Sequence, residues 1–323
     1  MKARYPLTII SICLAIFICV TSCRERVHPP VDKGKLKIIT TLFPLYDFAR
    51  NVGGEQAHVT LILPPGLEPH SFEPKPGDVI RINDADIFVY TDKKMEPWVE
   101  NILKSIDNKK LLVINASKGI TLLSDVSPLH GCEKTRQGEP IEHHPEDKLD
   151  PHIWLDLTNV QNMVDNIRDG FISKDPSGKN FYMKNTAQYG ARLSALDREF
   201  KTSLSNCRHR LFVHGGHFAF NYLAKHYNLA YVSAYQGSPD AEPSPRKIME
   251  LKKLVKDNEV KYIYYEELIT PRVAEMLARE TGADLLFLHG AHNISKDDLE
   301  KGTTFISIME QNLTNLMKGL ECR

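Results

Sequence analysis

From residue 36 onward the chain alternates short apolar runs with stretches whose apolar residues recur every three or four positions. Residues 36–42 are strand-like, and a helix is expected over 46–52 behind Pro44. Residues 59–63 form a second apolar run, stopped by Pro64-Pro65-Gly66. Residues 87–90 and 111–114 read as further strands, with a helical stretch over 98–106 between them. A helix over 160–171 leads to Asp175-Pro176-Ser177, a helix-start signal. Beyond it Phe181, Tyr189, Leu193, Leu196, Phe200 and Leu204 fall on one stripe, which predicts a single helix of about seven turns.

The second half repeats the alternation. Strands are expected over 211–213, 230–232, 262–265 and 285–288, with helices over 218–227, 244–258, 271–282 and 305–320. Strands separated by helices imply parallel sheets assembled from βαβ units. The fold class is therefore α/β: two lobes, each with a parallel-dominated sheet, joined by one long connecting helix. The N-terminal lobe spans 36–172, the connecting helix 173–205 and the C-terminal lobe 206–323. Within the first lobe, residues 130–148 lose all periodicity and read as a loop carrying His130, His143 and His144.

The segment before residue 36 changes the compartment. Lys2 and Arg4 precede an apolar run over 7–20, too short for the roughly 20 residues of a membrane-spanning helix. Residues 1–22 read as a secretory signal. Val20-Thr21-Ser22-Cys23 resembles a bacterial lipobox, which makes Cys23 a lipidated first residue and 23–35 a tether to the extracytoplasmic face of the cell membrane. Lys and Arg balance Asp and Glu at 41 each, so no basic stripe points to nucleic acid. Beyond the lipobox Cys23 only Cys132, Cys207 and Cys322 remain, and Cys207 with Cys322 is the first pair to try as a disulfide. No C-x-x-C is present, which argues against a thiolate zinc site.

Candidate chemistry centres on histidine. Leu67-Glu68-Pro69-His70 and Leu149-Asp150-Pro151-His152 are near-repeats, each presenting an imidazole on a backbone stiffened by proline. His217 and His289 also follow predicted strands, where open α/β sheets bind ligands. His214 competes with His217 for one role, and His292 with His289 for another. His58, His209 and His226, in or beside regular elements, read as ordinary surface or satisfied histidines. An all-imidazole set suits zinc. Phosphate-loop, G-x-S-x-G and H-E-x-x-H patterns are absent.

Pro65-Gly66-Leu67-Glu68-Pro69-His70-Ser71-Phe72-Glu73-Pro74, Asp150-Pro151-His152-Ile153-Trp154-Leu155-Asp156, His217-Phe218-Ala219-Phe220-Asn221-Tyr222-Leu223 and Asp240-Ala241-Glu242-Pro243-Ser244-Pro245 occur in that order. Together they resemble the zinc- and manganese-binding lipoproteins of bacterial ABC importers. The resemblance implies two α/β lobes with one metal ion in the cleft, handed to a permease powered by an ATPase. It places His70, His152 and His217 as the first three ligands. The fourth, often a carboxylate in this family, falls on His289, with His292 as its alternative. Four imidazoles favour Zn2+ over Mn2+ or Fe2+. Asp156 and Glu242 are expected to orient the histidines. A monomer is expected, and no catalysis, because four protein ligands leave no open position for an activated water.

Two other classes compete. A lipid-anchored zinc hydrolase would use three histidines, a metal-bound water and a base such as Glu267. A surface adhesin would hold a structural metal that does not exchange.

Overall fold

The computed structural model describes residues 34–124, 149–235, 243–268 and 270–323, and residues 35–323 form one compact unit. The expected signal and tether with Cys23, the histidine loop with Cys132, and Glu242 lie outside the described residues. Among the described residues no helix is long and apolar enough to cross a membrane.

The first half contains β1 (Leu36–Thr40), α1 (Phe43–Gly53), β2 (Ala57–Leu61), α2 (Pro76–Asn83), β3 (Ile87–Tyr90), α3 (Val99–Lys104) and β4 (Leu112–Asn115). A two-stranded ribbon of β5 (Leu123–Ser124) and β6 (Leu149–Asp150) follows. Then come α4 (Leu157–Lys174) and the 25-residue α5 (Lys179–Ser203). The second half contains β7 (Leu211–His214), α6 (Asn221–His226), β8 (Ala230–Ser233), α7 (Pro245–Asp257), β9 (Tyr262–Tyr265), α8 (Arg272–Thr281), β10 (Asp284–Phe287), α9 (Lys296–Glu300) and α10 (Phe305–Gly319).

Both four-stranded sheets are parallel, in the orders β2-β1-β3-β4 and β8-β7-β9-β10. Counted within its own half, each sheet runs second, first, third, fourth. The order reverses between the first and third strands, β1 and β3 in one sheet and β7 and β9 in the other. Loops leaving the carboxyl ends diverge there and open a crevice.

The long helix buries Tyr182, Tyr189, Leu193, Leu196 and Phe200. Phe48 of α1 meets Tyr189 of α5 at 6.1 Å and Phe305 of α10 edge-on at 5.0 Å. One apolar cluster runs from Ile38 to Leu320 and is shared by the two halves, while a second, smaller one around Val213, Leu251, Ile263 and Leu277 lies within the C-terminal half. A disulfide joins Cys207 to Cys322, fastening the end of the chain beside the entrance to β7.

Several boundaries differ from the sequence expectation. The helix expected over 218–227 spans only Asn221–His226. Phe218 and Phe220 are instead buried against Tyr231, 5.0 Å and 6.2 Å away between ring centres. Helix α2 was not expected; Pro76 in its first turn and the Lys75–Asp78 capping interaction are its local signals.

Candidate metal centre

The two near-repeats fold by one local rule. In each, the acidic side chain accepts the backbone N–H of the histidine two residues on: Glu68 from His70 at 3.1 Å and Asp150 from His152 at 3.0 Å. Proline cannot donate, so the next amide is the nearest donor and the carboxylate closes a tight turn over it. Both histidines then sit in or at the start of a short 3-10 turn, Pro69–Ser71 and Ile153–Leu155. The shorter Asp150 also reaches its histidine's ring, placing Oδ1 2.7 Å from His152 Nδ1.

His217 is delivered differently. β7 ends at His214, and Gly215-Gly216 carries the chain over the mouth of β9. A Cβ on Gly216 would lie 2.0 Å from Glu266 Oε1, so only glycine lets this backbone pass the carboxylate. Glu266 in turn accepts the His217 amide at 2.8 Å and stands 2.6 Å from its Nδ1. His214, its competitor, is buried with Nδ1 3.2 Å from the His217 carbonyl oxygen, and so supports the loop from below.

These placements bring His70, His152 and His217 together, with one ring nitrogen from each within 4.8 Å of the others. His152 Nε2 lies 3.2 Å from His70 Nε2 and 3.2 Å from His217 Nε2. Carboxylates stand beside the Nδ1 atoms of His152 and His217, which favours a proton on Nδ1 and leaves both Nε2 atoms facing inward. Two lone pairs 3.2 Å apart repel unless a cation or proton stands between them. Tetrahedral zinc with N ligands at about 2.0–2.1 Å sets them about 3.3 Å apart.

Of the two candidates for a fourth imidazole, the ring that faces the other three is that of His292 and not that of His289. His292 is fully buried, its ring centre 5.6 Å from that of His217 and 6.3 Å from those of His70 and His152. Neither of its ring nitrogens makes a hydrogen bond, a costly state for a buried ring that a metal would relieve. His289 lies outside the cluster. Its Nδ1 is 2.9 Å from the Ala291 amide and 3.1 Å from Glu267 Oε1. Asn312 of α10 grips its backbone by N–H and C=O at 2.8 Å each.

The turn from 289 to 292 decides which histidine enters. Gly290 N–H donates to Glu267 Oε2 at 2.8 Å, and Gly290 O accepts from Trp154 Nε1 at 2.8 Å. Ala291 adopts a left-handed φ of 59°, which swings His292 inward. A Cβ on Gly290 would come within 2.7 Å of the His292 ring. Glu267 stands between the two histidines, 3.7 Å from His292 Nδ1.

The electrostatics favour neutral donors on one side and a carboxylate-backed donor on the other. Burial, then the neighbouring His217 and His292, push His70 down to about 2. His152 is pushed well below its ordinary value by burial and by the surrounding imidazoles. For His217 burial acts downward, but the Glu266 carboxylate outweighs it and raises the ring to about 9.

Sequence reasoning did not single out Asp150 and Glu266, the carboxylates that stand beside ring Nδ1 atoms, or Glu267, which holds the 289–292 turn through Gly290. It assigned the orienting role to Asp156, which instead caps α4 by accepting Thr158 N–H at 2.7 Å and pairs with His226. The near-repeat held the signal for Asp150. Adjacent carboxylates such as Glu266-Glu267 at a strand end read from sequence either as solvated charge or as groups that support ligands.

A two-half α/β protein with an imidazole cluster between its strand ends is the class that this fold and site define. A family model described as zinc-uptake complex component A, periplasmic, matches residues 38–319, and the chain belongs to that family. It is 37% identical over 309 residues to the high-affinity zinc uptake system protein ZnuA of Bacillus subtilis, covering 95% of each chain. It is also 37% identical over 313 residues to the zinc-binding lipoprotein AdcA of Streptococcus pneumoniae, but spans only 60% of that protein's length. The crystal structure of the Zn(II)-bound ZnuA-like domain of that AdcA superposes with a TM-score of 0.75 at 36% identity, covering 89% of this chain and all of that domain.

Proposed function

We propose that this protein is an extracytoplasmic receptor that binds one Zn2+ between its two halves and delivers it to an ABC permease driven by its ATPase. His70, His152, His217 and His292 hold the ion, with Asp150, Glu266 and Glu267 behind three of the rings. The convergence of three ring nitrogens, from His70, His152 and His217, within 4.8 Å of one another carries this reading, because one cation satisfies all three whereas one proton bridges only a pair. Zn2+ is favoured over Mn2+ because imidazole is a softer donor than the carboxylates that suit manganese. Lipid on Cys23 would keep the receptor at the membrane as a monomer, as the lipoprotein relatives suggest.

Coordination by four side chains leaves no position for a reactive water, which sets this reading against a hydrolase. Glu267, the candidate base of that alternative, lies against the Nδ1 side of His289 and His292. The test is zinc titration of the mature protein with X-ray absorption of the loaded form. One ion bound by four nitrogens at about 2.0–2.1 Å is expected. Tighter Mn2+ than Zn2+ binding, or an oxygen-dominated shell, would overturn it.

A further inference from the structure

We infer that Asn293 is a latch that fastens the strap carrying His70 onto the opposite half, and so sets how fast the metal leaves; this rests on the metal-binding reading above. Residues 64–67 run over the surface, with Leu67 42% exposed, and lead directly into Glu68-Pro69-His70. Beneath them Asn293 is fully buried. Its Nδ2 donates to two strap carbonyls, Pro64 O at 2.9 Å and Leu67 O at 2.6 Å. Gly66 N–H donates to Ile294 O at 2.9 Å, and Asn293 Oδ1 accepts the Ile294 amide at 2.8 Å. Gly66 reaches this contact at a left-handed φ of 82°.

Asn293 directly follows His292. A single carboxamide therefore ties two donors, one from each half, in a closed arrangement. Parting the halves or lifting His70 off the metal requires breaking its two strap bonds. No side chain but a carboxamide of this length offers two N–H groups to carbonyls while accepting its neighbour's amide. Asn293 touches no metal position, so it acts as a positioning residue.

Two variants test the latch from opposite sides. Asn293→Asp keeps the shape but sets a carboxylate oxygen against the strap carbonyls. Pro64→Gly with Pro65→Gly loosens the strap without altering the His292 turn. Zinc release is followed by stopped-flow chelator competition, with X-ray absorption to count nitrogen donors and hydrogen exchange at the Gly66 amide. Asn293→Asp is expected to release zinc about 10- to 100-fold faster, the loss of roughly two neutral hydrogen bonds, and the two glycines about 4- to 30-fold faster through added backbone freedom, both with four nitrogens retained and Gly66 exchanging faster. Wild-type release rates with a protected Gly66 amide in both variants would overturn the latch. So would acceleration in Asn293→Asp alone, accompanied by loss of a nitrogen donor. Gly66 exchange in zinc-free protein separates the two readings: it responds to Asn293→Asp even if zinc binding by four imidazoles fails.

Discussion

Replacing His292 and His289 one at a time asks which residue completes the site. Structural zinc sites bind with about 10–16 kcal/mol, or about 2.5–4 kcal/mol for each of four donors. His292→Ala should therefore weaken zinc binding about 60- to 700-fold. The zinc-free protein should hardly notice. The ring's lost packing is offset by removing two buried nitrogens that make no hydrogen bond, each costing about 1–3 kcal/mol. A zinc level that stabilises the wild type by about 4 kcal/mol should then add only about 0.5–1.7 kcal/mol to the variant.

His289→Ala removes a group that touches Glu267 and the Ala291 amide but does not join the imidazole cluster. Gly290 N–H still holds Glu267 Oε2 at 2.8 Å, so the turn that presents His292 is kept. The loss should stay within about tenfold, below the range usual for groups that hold a ligand directly. Isothermal titration against a competing chelator, with melting curves with and without zinc, reads both quantities. A His289→Ala variant that loses as much affinity as His292→Ala would refute the assignment of the fourth donor.

Glu266→Gln keeps the shape beside Gly216 but removes the charge behind His217, and should weaken zinc binding about 10- to 100-fold; wild-type affinity in the same chelator assay would sink its orienting role. Replacing both Cys207 and Cys322 by serine opens a crosslink across 115 residues and should cost about 2–5 kcal/mol, lowering Tm by about 5–15 °C. Zinc affinity should stay within about threefold, because the bridge lies beyond the amino end of β7 and the site lies beyond its carboxyl end. Buried Glu96 gives a pH signature: burial raises it from 4.5 to about 7, despite hydrogen bonds from Thr41 and from the Thr91 and Asp92 amides. The folded state then holds that proton more tightly than the unfolded chain. Its contribution is fully present below about pH 4.5 and is lost as pH rises to about 7, by up to about 3 kcal/mol. Glu96→Gln should remove that slope from denaturant titrations of the zinc-free protein; an unchanged slope would assign the pH dependence elsewhere.

The alternation of apolar runs and amphipathic stretches made the α/β class legible, because parallel strands buried on both faces read as continuous apolar runs. The long helix was legible for the opposite reason, since Tyr189, Leu193, Leu196 and Phe200 mark a single stripe. Helices α2 and α9 were not. With eight and five residues they carry little periodicity, and α9 has no fully buried side chain. The Cys207–Cys322 pair could be suggested but not deduced, since pairing depends on where Leu320–Cys322 return beside Arg208 and His209.

The site divides along the same physical line. His70 and His152 were legible because their turns are local, with acid, proline and amide lying within three consecutive residues. The choice between His289 and His292 was not, because it is made by distant groups. Asn312 of α10 pins one histidine, Trp154 and Glu267 hold the glycine between them, and a left-handed Ala291 turns the other inward. Both sheets reverse strand order at the same place in their sequence, and each puts a buried glutamate there. In the first, Glu96 is buried and its carboxyl oxygens are taken up by Thr41 and by the Thr91 and Asp92 amides near the ends of β1 and β3. In the second, the Gly215-Gly216 backbone leaves Glu266 free to face a ring, and the crevice becomes a binding site. The topology supplies the position twice; the residues after β7, small enough to let a carboxylate meet an imidazole, decide which copy carries the chemistry.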